Sequence, residues 1–153
     1  MAKVQRKSER RGNAWVVVAD AYRADIYKRE TRRGPLELVL SLIELGARGR
    51  EQDYAADAPG RSFDSGGQGR HAMESSHAMK QHLREAFAQQ IAAELEAGRQ
   101  AGHFKKLIVI AAPAMLGELR RQFSDATAKM VTAEFSKDLT AQDPAAIVTL
   151  IDA

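Results

Sequence analysis

The chain carries two kinds of apolar pattern, short unbroken runs and one long stripe of period four. Ala14-Trp-Val-Val-Val-Ala19 and Leu107-Ile-Val-Ile-Ala-Ala112 are unbroken runs rich in β-branched residues. Each suits a strand covered on both faces, so each predicts an interior strand. Arg23-Ala-Asp-Ile-Tyr27 alternates polar and apolar, and Leu36 to Ile43 gives a third strand beyond a turn at Arg33-Gly34-Pro35. With Asp20-Ala21-Tyr22 as a tight turn, these three strands predict an antiparallel meander. Met79, Leu83, Phe87, Ile91 and Leu95 recur every four positions. That stripe predicts a long amphipathic helix over 72–97, packed on the sheet through those side chains.

After Pro113, the stripe Met115, Leu116, Leu119 and Phe123 predicts a second helix, with Ser124 or Asp125 capping a short further turn. Val131 to Phe135 reads as an edge strand and Pro144 to Ile151 as a closing helix. The order βββ-loop-α-β-α-β-α places the chain in the α/β class. It predicts a mixed sheet with an N-terminal antiparallel meander and helices on both faces. Between the third strand and the long helix the pattern stops. Residues 47–71 are predicted to form a long exposed loop, a length that accompanies function or disorder.

At 153 residues, the expected organisation is a basic flexible tail, residues 1–13, before a single domain, residues 14–153. The net charge of +3 divides unevenly. Lys3, Arg6, Lys7, Arg10 and Arg11 against Glu9 give the tail +4, leaving −1 for the rest. Such a tail would hold RNA phosphates through counterion release, or serve as a solubilising arm. The composition of the body makes no case for a nucleic-acid face. Cysteine is absent, which excludes disulfides, thiolate metal sites and a thiol nucleophile. No apolar run approaches the roughly 20 residues that span a bilayer. The chain opens on charge with no apolar secretion segment, so a cytoplasmic location is expected.

Candidate chemistry is sparse. His71 and His82 share a helical face but stand eleven residues apart, roughly 16 Å at helical rise, and His77 points elsewhere. His71 with Glu74 offers two ligands at most, so no metal and no cofactor are expected. Asp20, Asp25 and Asp64 are the carboxylates a two-metal nuclease would need to converge, yet only Asp20 stands at a suitable strand end. Its competing role is to accept turn amides. Gly66-Gly67-Gln68 invites two readings. It is a glycine loop of little content, or a tip that brings backbone N–H groups and a glutamine amide against a reacting ester. Glutamine is neither base nor nucleophile, so such a tip needs a partner such as RNA.

Several motifs together resemble the bacterial host-attachment protein family. They are Trp15-Val-Val-Val-Ala-Asp20, Ala24-Asp-Ile-Tyr27, Pro59-Gly-Arg-Ser-Phe-Asp64, Arg70-His-Ala-Met-Glu74, Phe87-Ala-Gln-Gln-Ile-Ala92, Leu107 to Pro113, Leu116-Gly-Glu-Leu-Arg120 and Lys137-Asp-Leu-Thr140. That family in turn resembles the middle domain of archaeal and eukaryotic release factors. The likeness implies a ribonuclease-H-like fold and a Gly-Gly-Gln tip that promotes peptidyl-tRNA hydrolysis. It makes Gly66, Gly67 and Gln68 candidate catalytic residues, with ribosome or tRNA as partner. Arg61 and Arg70 flank the tip as further candidate RNA contacts, and Asp64, His71 and Glu74 form a loop and helix-start motif. The competing expectation is a non-enzymatic interaction protein, required indirectly for attachment to host cells.

Overall fold

The computed structural model describes residues 13–44, 46, 66–140 and 142–153, and of residues 66–74 the backbone alone. Lys3, Arg6, Lys7, Arg10, Arg11, Arg61 and Asp64 lie outside the described residues, as do the side chains of Arg70, His71 and Glu74.

Five strands form one sheet in the order β3-β2-β1-β4-β5. β1 is Ala14–Ala19, β2 is Arg23–Arg29 and β3 is Glu37–Ile43. These three make the expected antiparallel meander. β4, Lys106–Ala111, and β5, Val131–Ser136, extend it on the other side in parallel with β1. All six residues of β1 are buried, because the strand has a neighbour on each side and helices over each face. An unbroken apolar run is the sequence form of that position. The edge position of β5 also matches expectation, and its alternating burial follows from it.

Helix α1, Gly66–Gln100, and helix α2, Pro113–Gln122, cover one face. The core there joins Trp15, Val17, Ile26, Leu107 and Val109 to Phe87, Ile91, Leu95, Met115 and Leu119. The opposite face is covered by α4, Pro144–Asp152, through Ile147, with Val16, Val18, Tyr27 and Ile110 beneath it. Between α2 and β5 lies the single turn and a half of α3, Asp125–Met130.

The long helix departs from expectation at its beginning. It starts at Gly66 rather than residue 72, and it runs on to Gln100. Its apolar stripe is buried from Phe87 onward, Leu83 is half-buried, and Met79 is 39 % exposed. The stripe therefore seats only the C-terminal half on the sheet. Residues before it lack apolar period, so nothing in their spacing marked them as helical.

Polar clasps fix the ends of these elements. Ser124 caps α3 by accepting from the Thr127 amide at 3.1 Å, and Asp143 caps α4 through the Ala146 amide at 3.1 Å. Ser124 and Thr127 both donate their hydroxyls to Glu96 Oε1 at 2.7 Å, and Arg99 binds the same carboxylate. The Arg99 bond first, then the two hydroxyls, hold the Glu96 carboxyl down to about 2. Arg29 is buried in β2 and grips Asp152 of α4 at 2.9 and 2.8 Å. The Arg29 guanidinium holds the Asp152 carboxyl below its usual range. Sequence alternation alone ends β2 at Tyr27. The strand continues because Arg29 has this partner 123 residues away.

Gly98 packs directly under Trp15, where an added Cβ would stand 2.5 Å from two indole carbons. Gly98→Ala is expected to destabilise by about 1–3 kcal/mol through overpacking. Gly117, inside α2, has open space at its Cβ position. Gly117→Ala is expected to stabilise by roughly 1 kcal/mol through helix propensity alone. Urea unfolding of the two variants checks both signs.

Glu96 gives a pH signature. Its folded value lies below the ordinary 4.5, so its contribution is complete above that pH and fades as pH falls towards 2. The thermal midpoint of Glu96→Gln should fall below that of the native chain at neutral pH. The difference should close as both are titrated towards pH 2.

Candidate functional site

Asp20 follows the last residue of β1 and turns the chain into β2. Its Oδ1 accepts the amides of Tyr22 at 2.7 Å and Arg23 at 2.8 Å, the turn role that competed with metal binding. Its Oδ2 is left to accept the Thr140 hydroxyl at 2.8 Å. Thr140 is buried, in the segment after β5, and its hydroxyl also stands 2.8 Å from Asp138 Oδ1. A hydroxyl has one proton to donate. One of these contacts is therefore a hydrogen bond and the other sets acceptor against acceptor.

The carboxylates expected to converge do not. Asp25 is buried one strand away on the α4 face, held by Arg23 at 2.9 Å and by the Ser41 hydroxyl at 2.7 Å. Tyr27 lies further along that face of β2. Burial pushes its phenol pKa up, and the Asp25 charge adds to the rise. Among the described residues, no three His, Cys, Asp or Glu side chains stand close enough to hold a metal ion. His77 and His82 are exposed on α1. What the sequence did not assign is the role of Thr140, which meets Asp20 across 120 residues, and of Asp138, which meets Thr140. The available signal was the Asp138-Leu-Thr140 spacing, in which the Thr140 amide donates to Asp138 Oδ1 at 3.3 Å.

A second polar cluster joins the two helices of the α1 face. Glu118 is buried on α2 and accepts from Gln81 of α1 at 2.8 Å and from Arg121. The Arg121 bond holds its carboxyl below the usual range against the opposing effect of burial. Arg84 donates to Gln81 Oε1 at 2.6 Å, which turns the Gln81 amide group towards Glu118. This is a bracket between helices, in which Arg121 matches the buried Glu118 charge.

At the sheet edge, β3 bonds β2 on one side. Its other side has no strand partner among the described residues. Leu38, Val39 and Ile43 are 57, 38 and 53 % exposed there. The sequence predicted the strand, but not that its apolar residues would face outward.

Gly66, Gly67 and Gln68 form the opening of α1 rather than a loop ahead of it. Their backbone is helical, and the direction of the Gln68 side chain lies outside the described residues.

The family described as proteins required for attachment to host cells matches residues 15–151, from β1 into α4. The chain belongs to the host-attachment family. Its match takes in Asp20, Asp138, Thr140 and the whole β3 edge. No curated protein matches the chain at a significant level. Among the described residues, this host-attachment protein has no helix long and apolar enough to cross a membrane. The family description names a cellular requirement and no reaction.

The Asp20 corner makes a decisive hydrogen-bond count. In Asp20→Asn, Oδ1 still accepts the turn amides while Nδ2 donates to Thr140, freeing the hydroxyl proton for Asp138. This variant is expected to hold or raise stability. Asp20→Ala removes three contacts and is expected to lose about 1–3 kcal/mol. Chemical denaturation of both variants reads the difference.

Proposed function

We propose that this host-attachment protein is a non-enzymatic interaction protein that holds a partner polypeptide along the open edge of β3. The exposed Leu38, Val39 and Ile43 carry this reading. A strand with no outer strand partner among the described residues and with outward apolar residues is a template for strand addition, and natural edges usually guard against it with charge or proline. β3 carries one charged residue, Glu37, at its first position. The occupant is therefore an extended segment of a partner protein that bears apolar side chains to meet Leu38, Val39 and Ile43. The role in attachment is then indirect, through that partner.

A second reading keeps the release-factor likeness. The Gly66-Gly67-Gln68 tripeptide heads a 35-residue helix, and the strand order β3-β2-β1-β4-β5 supports a ribonuclease-H-like topology. On this reading Gln68 would assist peptidyl-tRNA hydrolysis on the ribosome in the cytoplasm.

One experiment separates the two. Cells lacking the gene are complemented with the native chain, with Leu38→Lys/Ile43→Lys, or with Gln68→Ala. Both changed β3 positions are exposed, so stability should move by no more than about 1 kcal/mol. The interaction reading expects the β3 variant to reduce attachment to the level of the deletion, and Gln68→Ala to restore it fully. Attachment restored by the β3 variant and lost with Gln68→Ala reverses the order of the two readings.

A further inference from the structure

The near-neutral charge of the domain body conceals a separation along the strands. Asp20, Glu44 and Asp138 follow β1, β3 and β5, so they stand at one end of the sheet, where Arg23 and Lys137 offset them in part. The opposite end collects cations from four separate connections. The register places Arg29 of β2 and Lys106 of β4 on either side of Ala14. The Lys105 amide donates to the Asn13 carbonyl at 3.2 Å, so the basic tail joins the sheet beside Lys105. Arg32 and Arg33 stand in the turn after β2, and Lys129 ends α3 just before β5.

Three of the carboxylates at this end, Glu30, Glu37 and Asp152, are paired with cations of β2, and Asp125 at the start of α3 is exposed. Lys28 binds Glu30 at 3.1 Å and reaches Glu37 at 3.6 Å, and Arg29 takes Asp152. Arg32, Arg33, Lys105 and Lys106 are all exposed. Adjacent strands lie about 4.8 Å apart, so β2 and β4 begin their connections roughly 10 Å from each other. A row of cations that wide can follow a phosphate chain.

Two further observations define the ligand. His103 is exposed, yet its ring lies within 12° of parallel to buried Trp15, with centroids 5.9 Å apart. An exposed ring held flat beside Lys105 is a platform on which a base can stack, which an anionic bilayer surface would not use. Arg33 is the one non-glycine residue with positive φ among those described, at 66°. Glycine or asparagine would occupy that turn position at lower backbone cost, and the Arg33 charge acts within the fold only at a distance, as a minor influence on Asp152 behind Arg29.

We infer that this end of the sheet binds single-stranded nucleic acid, with phosphates on Arg32, Arg33, Lys105 and Lys106 and a base on His103. The site is independent of the β3 edge and of Gln68.

The test is fluorescence anisotropy of the full chain with a labelled oligouridylate of about a dozen nucleotides across a salt series. The tail stays intact in every variant. Arg32→Ala/Arg33→Asn/Lys105→Ala/Lys106→Ala should weaken binding at least tenfold and flatten the log–log salt slope by about 3. His103→Ala should lose about tenfold with an unchanged slope, and His103→Phe should recover the affinity. Arg33→Asn alone should weaken binding while its thermal midpoint holds or rises, which a purely structural residue would not do. The inference is overturned if the native chain does not bind the oligonucleotide. It is equally overturned if the fourfold variant, folded by circular dichroism, keeps the native affinity and slope. Binding to phosphatidylserine vesicles with none to the oligonucleotide would also overturn it in favour of a lipid surface.

Discussion

Everything in this fold is hung on β1, a strand of six buried residues with no exposed face or side. It bonds β2 antiparallel and β4 parallel in unshifted register, and its side chains alternate between two cores. Trp15 and Val17 face α1 and α2, and Val16 and Val18 face α4. Burying each large aliphatic side chain contributes on the order of 2 kcal/mol, so this strand links two hydrophobic layers that neither could sustain alone. The polar corners follow from it. Asp20 stands where β1 leaves the core, and Asn13 stands where it begins. Each point also draws in a residue from more than 90 positions away, Thr140 at Asp20 and Lys105 at Asn13.

That dependence explains what the amino-acid pattern disclosed. β1 and β4 were legible because burial on both faces demands an unbroken apolar run. The meander was legible because its turns are short, and the Asp143 cap was foreshadowed by Pro144 at the next position. The clasps were not legible, since Arg29 and Asp152 are simply two charged residues until the fold brings them together. The start of α1 was hidden for another reason. Helix without a packed face leaves no apolar period, and glycines at 66, 67 and 69 argue locally for a loop.

The candidate sites divide in the same way. Asp20 was visible as a strand-end carboxylate, and its turn-capping role was the reading that held. Thr140 and Asp138 stood within one short motif, but their role came into view only through the contact of Thr140 with Asp20. Asp25 had been weighed with Asp20 as a carboxylate of the neighbouring strand, whereas Asp20 holds the turn and Thr140, and Asp25 holds Arg23 and Ser41. The β3 edge shows the limit of reading hydrophobicity as burial. Leu38 and Ile43 look like core residues in a list of letters, and only the position of their strand at the border of the sheet exposes them.

The segregation of charge along the strands has a kinetic consequence. Among the described residues acidic groups predominate at one end of the sheet and cations at the other, which makes a dipole although the summed charge of the body is close to zero. In the field of a polyanion such a molecule turns before it touches, presenting the ends of β2, β1 and β4 first. Oriented arrival raises the rate of productive encounters without adding any contact to the complex. At physiological ionic strength the field reaches only about 8 Å, so this alignment acts during the last step of approach.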